Sequence, residues 1–429
     1  MKKIFIDIAR CELRLLDGRK ISTYLSKKGY KIVDKPEDAE IIFFVTCSGL
    51  NVNAENSLNK VKNYLKYNAE LIIGGCLPET DKEELSKIFN GKVISTRELH
   101  EDLEKIDNIF PDEKVKFREL EDENIVSRGL SPGLVRHEHI EEIKKFFRKS
   151  KLLENYYLKI KDHVLENLYG EHSIILDTFI IQTSEKPYHI RIAWGCMGNC
   201  TYCAIKNAIG SFHSKLIDEC VREFKKGLDQ GYHYFIINAD DTGVYGLDIG
   251  TNIIELLDAI TKIPGEYEIL VRNFNPRFVV KYIDDLEKIL RRNKIIIIDS
   301  HVQGASSRVL KLMNRFSDTA KIKETFLRLR KTFPNLRINT SYILGFPTET
   351  WDEFLEAVNL IKDVSFSAGF IFSFSCRPST KAASIEPKVP EEEKFKRIKY
   401  AEKFLKKEGY RVIRISEPNQ PHMIIYERK

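Results

Sequence analysis

Three of the chain's eight cysteines lie in the stretch IAWGCMGNCTYC, residues 192–203, as Cys196, Cys200 and Cys203. The spacing C-x3-C-x2-C within one loop lets three thiolates converge on a single inorganic centre. A zinc site usually pairs C-x2-C units and takes four ligands, and here only His213 offers itself as a fourth. Three thiolates alone suit a [4Fe–4S] cluster with one iron left open to an exogenous ligand. The bland alternative is three small buried residues that meet by chance.

A second trio is scattered. Cys11 follows the strand-like run KIFID, Cys47 follows IIFFVT and Cys76 follows LIIGG. If those runs are parallel strands, their carboxyl ends share one edge of a sheet and could bring the three thiols together. Each taken singly reads as a small core residue; taken as a set they read as ligands of a second cluster. Of the other two cysteines, Cys220 lies in the helical pattern LIDECVREF and is expected in the core. Cys376 follows the last strand candidate, with a structural role preferred over one facing a cavity.

These residues need a scaffold, and the fold class is α/β. Residues 1–96 alternate KIFID, IIFFV, LIIG and KVIS with helix-periodic segments near 18–28, 54–67 and 80–88, which predicts a doubly wound parallel sheet domain. Residues 97–186 read as a linker and a helical insertion. In the insertion Ile140, Ile143 and Phe147 keep one face and Leu152, Tyr156, Ile160 and Val164 another, up to Gly170. A structural insertion is the first reading and a substrate-docking element the second. From 187 to 390 the alternation returns for six turns, predicting a partial (β/α)6 barrel with its chemistry at the carboxyl ends of the strands. Residues 391–429 give one charged helix and a possible hairpin, YRVIRIS with HMIIYER.

Composition sets outer limits. Apolar residues make up 42% and charged residues 31% of the 429, which excludes a disordered chain and an integral membrane protein. No apolar run reaches bilayer length, and Asp7 with Arg10 interrupts any signal-peptide core, so a cytoplasmic location is expected. In that reducing compartment clustered cysteines hold metal or do redox work more often than they form disulfides. A net charge of +6 permits a polyanionic partner without demanding one.

Read together, the two trios and the ordered segments DDTGVYGLDIGTN, RNFNP, HVQGASSRVLKLMNR, ILGFPTET and CRPSTKAA resemble the methylthiotransferases of the radical S-adenosylmethionine superfamily. The segment DDTGVYGLDIG is nearest to the archaeal and eukaryotic branch that modifies threonylcarbamoyl-adenosine in tRNA. The resemblance covers residues 1 to about 95 and 187 to about 400. It implies two [4Fe–4S] clusters and S-adenosylmethionine as cofactors. The cluster on Cys196, Cys200 and Cys203, with Tyr202 before the last cysteine, would generate the 5′-deoxyadenosyl radical. The cluster on Cys11, Cys47 and Cys76 would offer sulfur, methylated by a second S-adenosylmethionine. It also implies a low-potential electron donor of flavodoxin or ferredoxin type, a sulfur donor, and no membrane partner.

Further residues follow from the same resemblance. Asp240 and Asp241 could bind the amino group or ribose of S-adenosylmethionine, or form a solvated loop pair. Arg272, Asn275 and Gln303 would line the cofactor pocket, Arg272 by pairing with a carboxylate. Gly345 and Pro347 make a tight turn that in the family also flanks adenine, with Thr348 as the expected helix cap.

Departures from the family pattern matter as much. Arg14 and Val45 stand where the family usually has Asn, and Ile209-Gly210 replaces an Arg-Gly pair. The chain stops short of the TRAM barrel with which relatives grip a macromolecule, and it carries the extra helical segment at 137–170, whose lysines and arginines are diluted by glutamates. On these grounds the expected substrate is a polypeptide, such as a ribosomally made precursor peptide. The alternative is a tRNA carrying threonylcarbamoyl-type adenosine 37, and a more distant one is another radical reaction without methylthio transfer.

Overall fold

The computed structural model describes residues 1–8, 11–111, 115–125, 187–415 and 422–428. The helical insertion expected at 137–170 lies outside the described residues. In the amino-terminal part, β1 (Lys3–Ile8), β2 (Lys31–Val33), β3 (Ile41–Thr46), β4 (Glu70–Gly75) and β5 (Lys92–Ser95) form one sheet in the order β2-β1-β3-β4-β5. Every pairing in it is parallel. Strands β1, β3 and β4 are buried on both faces, which is why they read as unbroken apolar runs. Strand β2 escaped the sequence reading because it is three residues long, half-buried and at the sheet's edge. The helix Glu12–Lys27 stops where Gly29 takes φ 89° and the Tyr30 amide reaches back 3.0 Å to the Leu25 carbonyl.

The amino-terminal unit runs past the expected boundary at 96. Ser95 and Glu98 form a reciprocal capping box that starts the helix Thr96–Glu101. Beyond it Ile106, Phe110, Phe117 and Leu120 are buried against the same face of the sheet as Ile21 and Tyr24. Residues 97–111 and 115–120 thus contribute side chains to this core. Their apolar side chains are too widely spaced to show as a periodic pattern.

The second part contains β6 (Tyr188–Arg191), β7 (Ala193–Trp194), β8 (His213–Ser214), β9 (Tyr234–Asn238), β10 (Glu268–Val271), β11 (Ile295–Asp299), β12 (Arg337–Leu344), β13 (Ala368–Ser373), β14 (Tyr410–Ile415) and β15 (Met423–Arg428). Six of them, β6, β9, β10, β11, β12 and β13, pair in parallel as the open barrel predicted, while β7 and β8 form a small separate ribbon. The carboxyl-terminal hairpin is no appendage, because β15 pairs antiparallel with β13 and extends the barrel sheet. Thr348 does not cap the following helix. It takes φ 68° and donates its amide to the Pro387 carbonyl, and the helix Trp351–Val364 is capped by Thr350 with Glu353. Among the described residues no helix is long and apolar enough to cross a membrane.

The start of the helix Glu12–Lys27 ties the two parts together. Arg191, on β6, donates from Nη1 to Asp17 Oδ1 at 2.6 Å and from Nη2 to the Leu13 carbonyl at 2.6 Å. Glu12 accepts from Asn238 at 3.0 Å and pairs with Arg272, which also faces Asp299 at 3.4 Å. These groups are nearly all buried, so the contacts fix the helix, and Cys11 before it, against the barrel mouth.

Candidate functional site

The loop bearing Cys196, Cys200 and Cys203 is pinned from behind. Thr201 donates its amide to the Met313 carbonyl at 3.1 Å and its hydroxyl to the Leu312 carbonyl at 2.8 Å, while its own carbonyl accepts from the Ala382 amide at 2.9 Å. Asn314 holds the Asn199 carbonyl at 2.9 Å. With the backbone so fixed, the thiols turn to one side. The Gly198 amide donates to Cys196 Sγ at 3.2 Å, and a Cβ on Gly198 would stand 3.1 Å from Cys196 Sγ and 3.9 Å from Cys200 Sγ. Glycine leaves open the concavity into which these thiols converge. Arg315, at the end of the HVQGASSRVLKLMNR segment, lies 3.8 Å from Cys200 Sγ, and Tyr202 packs beside the same pair. Nothing in the spacing of that segment marks Arg315 apart from its other basic residues, Arg308 and Lys311.

The scattered trio is assembled by topology. Cys11 follows β1, Cys47 follows β3 and Cys76 follows β4, three neighbouring strands whose order reverses between β1 and β3. Such a switch point opens a crevice at the carboxyl edge of the sheet. Gly75 takes φ 92° with its Cα so close to β3 that a Cβ would meet the Thr46 carbonyl at 2.3 Å, and this sharp exit sets Cys76 at the edge. Asn53 lies 3.5 Å from Cys47 Sγ and Thr96 Oγ1 3.8 Å from Cys76 Sγ. Cys11 is accessible, and the charges acting on it are those of Arg14 and Asp240.

The donor chemistry fits iron–sulfur ligation. Burial pushes the Cys47 and Cys196 thiols up to about 12 and Cys203 to about 11, and in each case neighbouring thiols push the same way. Crowded buried thiols of this kind stay protonated until a cation compensates them. Among the described residues no group of three His, Cys, Asp or Glu side chains is set to hold a single metal ion. A four-iron cluster asks for something else, since each thiolate binds a different iron and the ligands stand further apart. The His213 ring stacks on Trp194 at 4.7 Å and 11°, and among the described residues it joins no three-ligand group with these cysteines.

The two trios border one space. Asp240 acts electrostatically on Cys11 and Cys76 and also on Cys196 and Cys203. Its own carboxyl is pushed up by burial and pulled down by Arg14 and Arg191. The short helix Lys206–Ile209 that follows the cysteine loop packs on Leu77–Thr80, just after Cys76, and on Thr96–Glu101. Asp240 is half-buried, with Arg14, Arg191 and Asp17 as its charged neighbours.

The other expected residues divide. Asp241 is buried, accepts from the Gly243 amide at 2.9 Å and from Asn275 Nδ2 at 3.0 Å, and acts on Cys196. Gln303 takes φ 72° and leaves a buried Oε1 without a partner among the described residues. Arg272 is placed otherwise than expected, with its guanidinium engaged by Glu12 and Asp299 of the protein itself. Gly345 and Pro347 make their turn against the carboxyl-terminal helix, where the Gly345 amide donates to Glu349 and a Cβ would strike Lys394 at 2.5 Å. Cys220 is fully buried as expected, whereas Cys376 is exposed and its carbonyl accepts from Asn51.

Comparison with known proteins gives this geometry its context. The Radical SAM superfamily description matches residues 190–361, and Uncharacterized protein family UPF0004 matches residues 3–95. A probable threonylcarbamoyladenosine tRNA methylthiotransferase of Pyrococcus horikoshii is 27% identical over 89% of this chain and 79% of its own length. A tRNA-2-methylthio-N(6)-dimethylallyladenosine synthase of Clostridium botulinum is 28% identical over 92% of this chain and 80% of its own. The human threonylcarbamoyladenosine tRNA methylthiotransferase is 27% identical over 93% of this chain and 62% of its own. In fold the chain is similar to a radical S-adenosylmethionine methyltransferase from Kitasatospora setae, with TM-score 0.57 at 10% identity over 89% of this chain and 76% of that one.

These relatives overturn the preference for a polypeptide substrate, since each is named for tRNA. The features that suggested a polypeptide, an insertion and the chain's extent, are not contacts with any substrate. The chain belongs to the radical S-adenosylmethionine methylthiotransferase family, enzymes whose cofactors are [4Fe–4S] clusters and S-adenosylmethionine.

Proposed function

We propose that this chain is a tRNA methylthiotransferase acting on an adenosine that already carries an N6 substituent. The observation that carries the reading is the shared space between the two thiol trios, with Asp240 in reach of both, in a chain whose relatives across nine tenths of its length are named for this reaction. Cys196, Cys200 and Cys203 would hold the radical-generating cluster, and Cys11, Cys47 and Cys76 the auxiliary one. When bound, these groups and S-adenosylmethionine supply hydrogen abstraction from the substrate and the sulfur for the new bond.

The protein's own task is placement. The pinned Thr201 backbone and Arg315 hold the radical-site thiols on one wall of the cavity. The pairing of Arg191 with Asp17 and Leu13 holds Cys11 on the other. Reaction between groups on the two walls then requires little further ordering. Asp241, oriented by Asn275, and the Gln303 oxygen, unpartnered among the described residues, would offer acceptors to S-adenosylmethionine when it is bound.

The test is direct. Anaerobically reconstituted protein is given dithionite, sulfide, S-adenosylmethionine and tRNA bearing N6-substituted adenosine, and the digested nucleosides are weighed by mass spectrometry. A mass gain of one methylthio group on that nucleoside is expected. Release of 5′-deoxyadenosine with no methylthio nucleoside from any tRNA would overturn the reading.

A further inference from the structure

The three departures from the family pattern behave differently once folded. Val45 is buried within the sheet and packs among Ile6, Phe43 and Ile72. Ile209 is buried where the helix Lys206–Ile209 meets the amino-terminal unit. Both are absorbed by packing. Arg14 is not: it is polar, its side chain is only 4% exposed, and it acts on Cys76, Cys11 and Asp240.

Its partners do not satisfy it. Arg14 Nε lies 3.0 Å from Asp17 Oδ2, while Nη1 is buried with no hydrogen-bond partner among the described residues. Asp17 cannot serve Arg14 alone, because its Oδ1 already takes Arg191 at 2.6 Å and faces His100 at 3.5 Å. One carboxylate stands between two guanidinium groups. A buried N–H left unpaired is costly, so such a group is normally answered by an acceptor. The remaining side chain here, Asp240, is shared with Arg191 and receives the Gly195 amide.

The geometry points to Arg14 as a specificity-determining residue that takes a carboxylate borne by the N6 substituent of the substrate adenosine. This rests on the tRNA reading and sharpens it. A threonylcarbamoyl group ends in a carboxylate, which a guanidinium receives through paired N–H donors. A dimethylallyl group offers only hydrocarbon and would leave Nη1 buried and unanswered, a mismatch that polar sites reject strongly. Among the two substituents named for the relatives, this cavity fits the anionic one.

The experiment compares three anticodon stem-loop RNAs with the wild-type holoenzyme, read by competition binding and by methylthio product. They carry threonylcarbamoyl-adenosine, its methyl ester and dimethylallyl-adenosine. The expected result is binding of the acid at least tenfold tighter than of the ester or the dimethylallyl RNA. In Arg14→Asn that preference falls to within about twofold, with iron content unchanged, and Arg14→Lys restores part of it. Equal binding of acid and ester by the wild type overturns the proposal while leaving the tRNA reading intact, as does preference for dimethylallyl RNA. Loss of iron in Arg14→Asn together with an unselective wild type would assign the residue to cluster support. Failure of all three RNAs to bind would instead strike the tRNA reading itself.

Discussion

Two cysteine trios of the same size are made in opposite ways. Cys196, Cys200 and Cys203 share one loop of eight residues, and their convergence needs only local backbone, the Gly198 concavity and a few bonds to residues 312–315. Cys11, Cys47 and Cys76 are set by strand order, by the turn at Gly75 and by buried contacts from Arg191 to Asp17 and Leu13. The first site is a property of a segment, the second of a fold. A site of the second kind inherits the stability of the whole interface that builds it. It can be damaged from a distance, whereas the first is damaged mainly from within.

The largest effects should come from the thiols. Replacing Cys11, Cys47 and Cys76 by alanine should lower reconstituted iron from about eight to about four per chain, with S-adenosylmethionine cleavage retained and methylthio product abolished. Replacing Cys196, Cys200 and Cys203 should lower iron equally but abolish cleavage as well. Equal loss of cleavage in both triple variants would break the distinction between the sites.

Next comes the interface. Asp17→Asn leaves Arg191 and Arg14 buried without their carboxylate, and breaking such a pair costs about 3–5 kcal/mol. Thermal unfolding should register that loss. Iron should fall at the auxiliary site before the radical site, read by comparing spectra of the variant in each triple-alanine background. Uniform loss from both would mean that the two walls are one cooperative unit.

Gly198→Ala should act most mildly and only locally. The added methyl group at 3.1 Å from Cys196 Sγ crowds the loop at an overpacking cost of roughly 1–3 kcal/mol. Slower S-adenosylmethionine cleavage with auxiliary iron unchanged is the expected signature, measured as 5′-deoxyadenosine released per radical-site iron.

How legible these features were follows from their range. The six parallel barrel strands and the amino-terminal β1, β3 and β4 are largely buried on both faces, so their apolar runs announce them. Strand β2 and the stretches 97–111 and 115–120 carry no such signal, since the strand is half-buried and the stretches contribute only scattered apolar side chains to a core built elsewhere. The placing of Thr348 as a helix cap missed because Thr350 with Glu353 forms the stronger reciprocal box two residues on. Arg272 was expected to meet a cofactor, and no local pattern could show that Glu12, 260 residues away in sequence, would meet it first.

By itself the sequence determined the chemistry available: soft thiols in two sets of three, one of them already local, and apolar runs of strand length suited to buried parallel sheets. Tertiary structure alone decided that the two sets face one space, that Asp240 stands between them, and that Arg14 is left with an unanswered donor there while Val45 and Ile209 vanish into packing. The reason is physical. Ligand type and strand burial are written in residue identity and short spacing. Opposition of two walls depends on long-range contacts such as Arg191 with Asp17, which no spacing along the chain encodes.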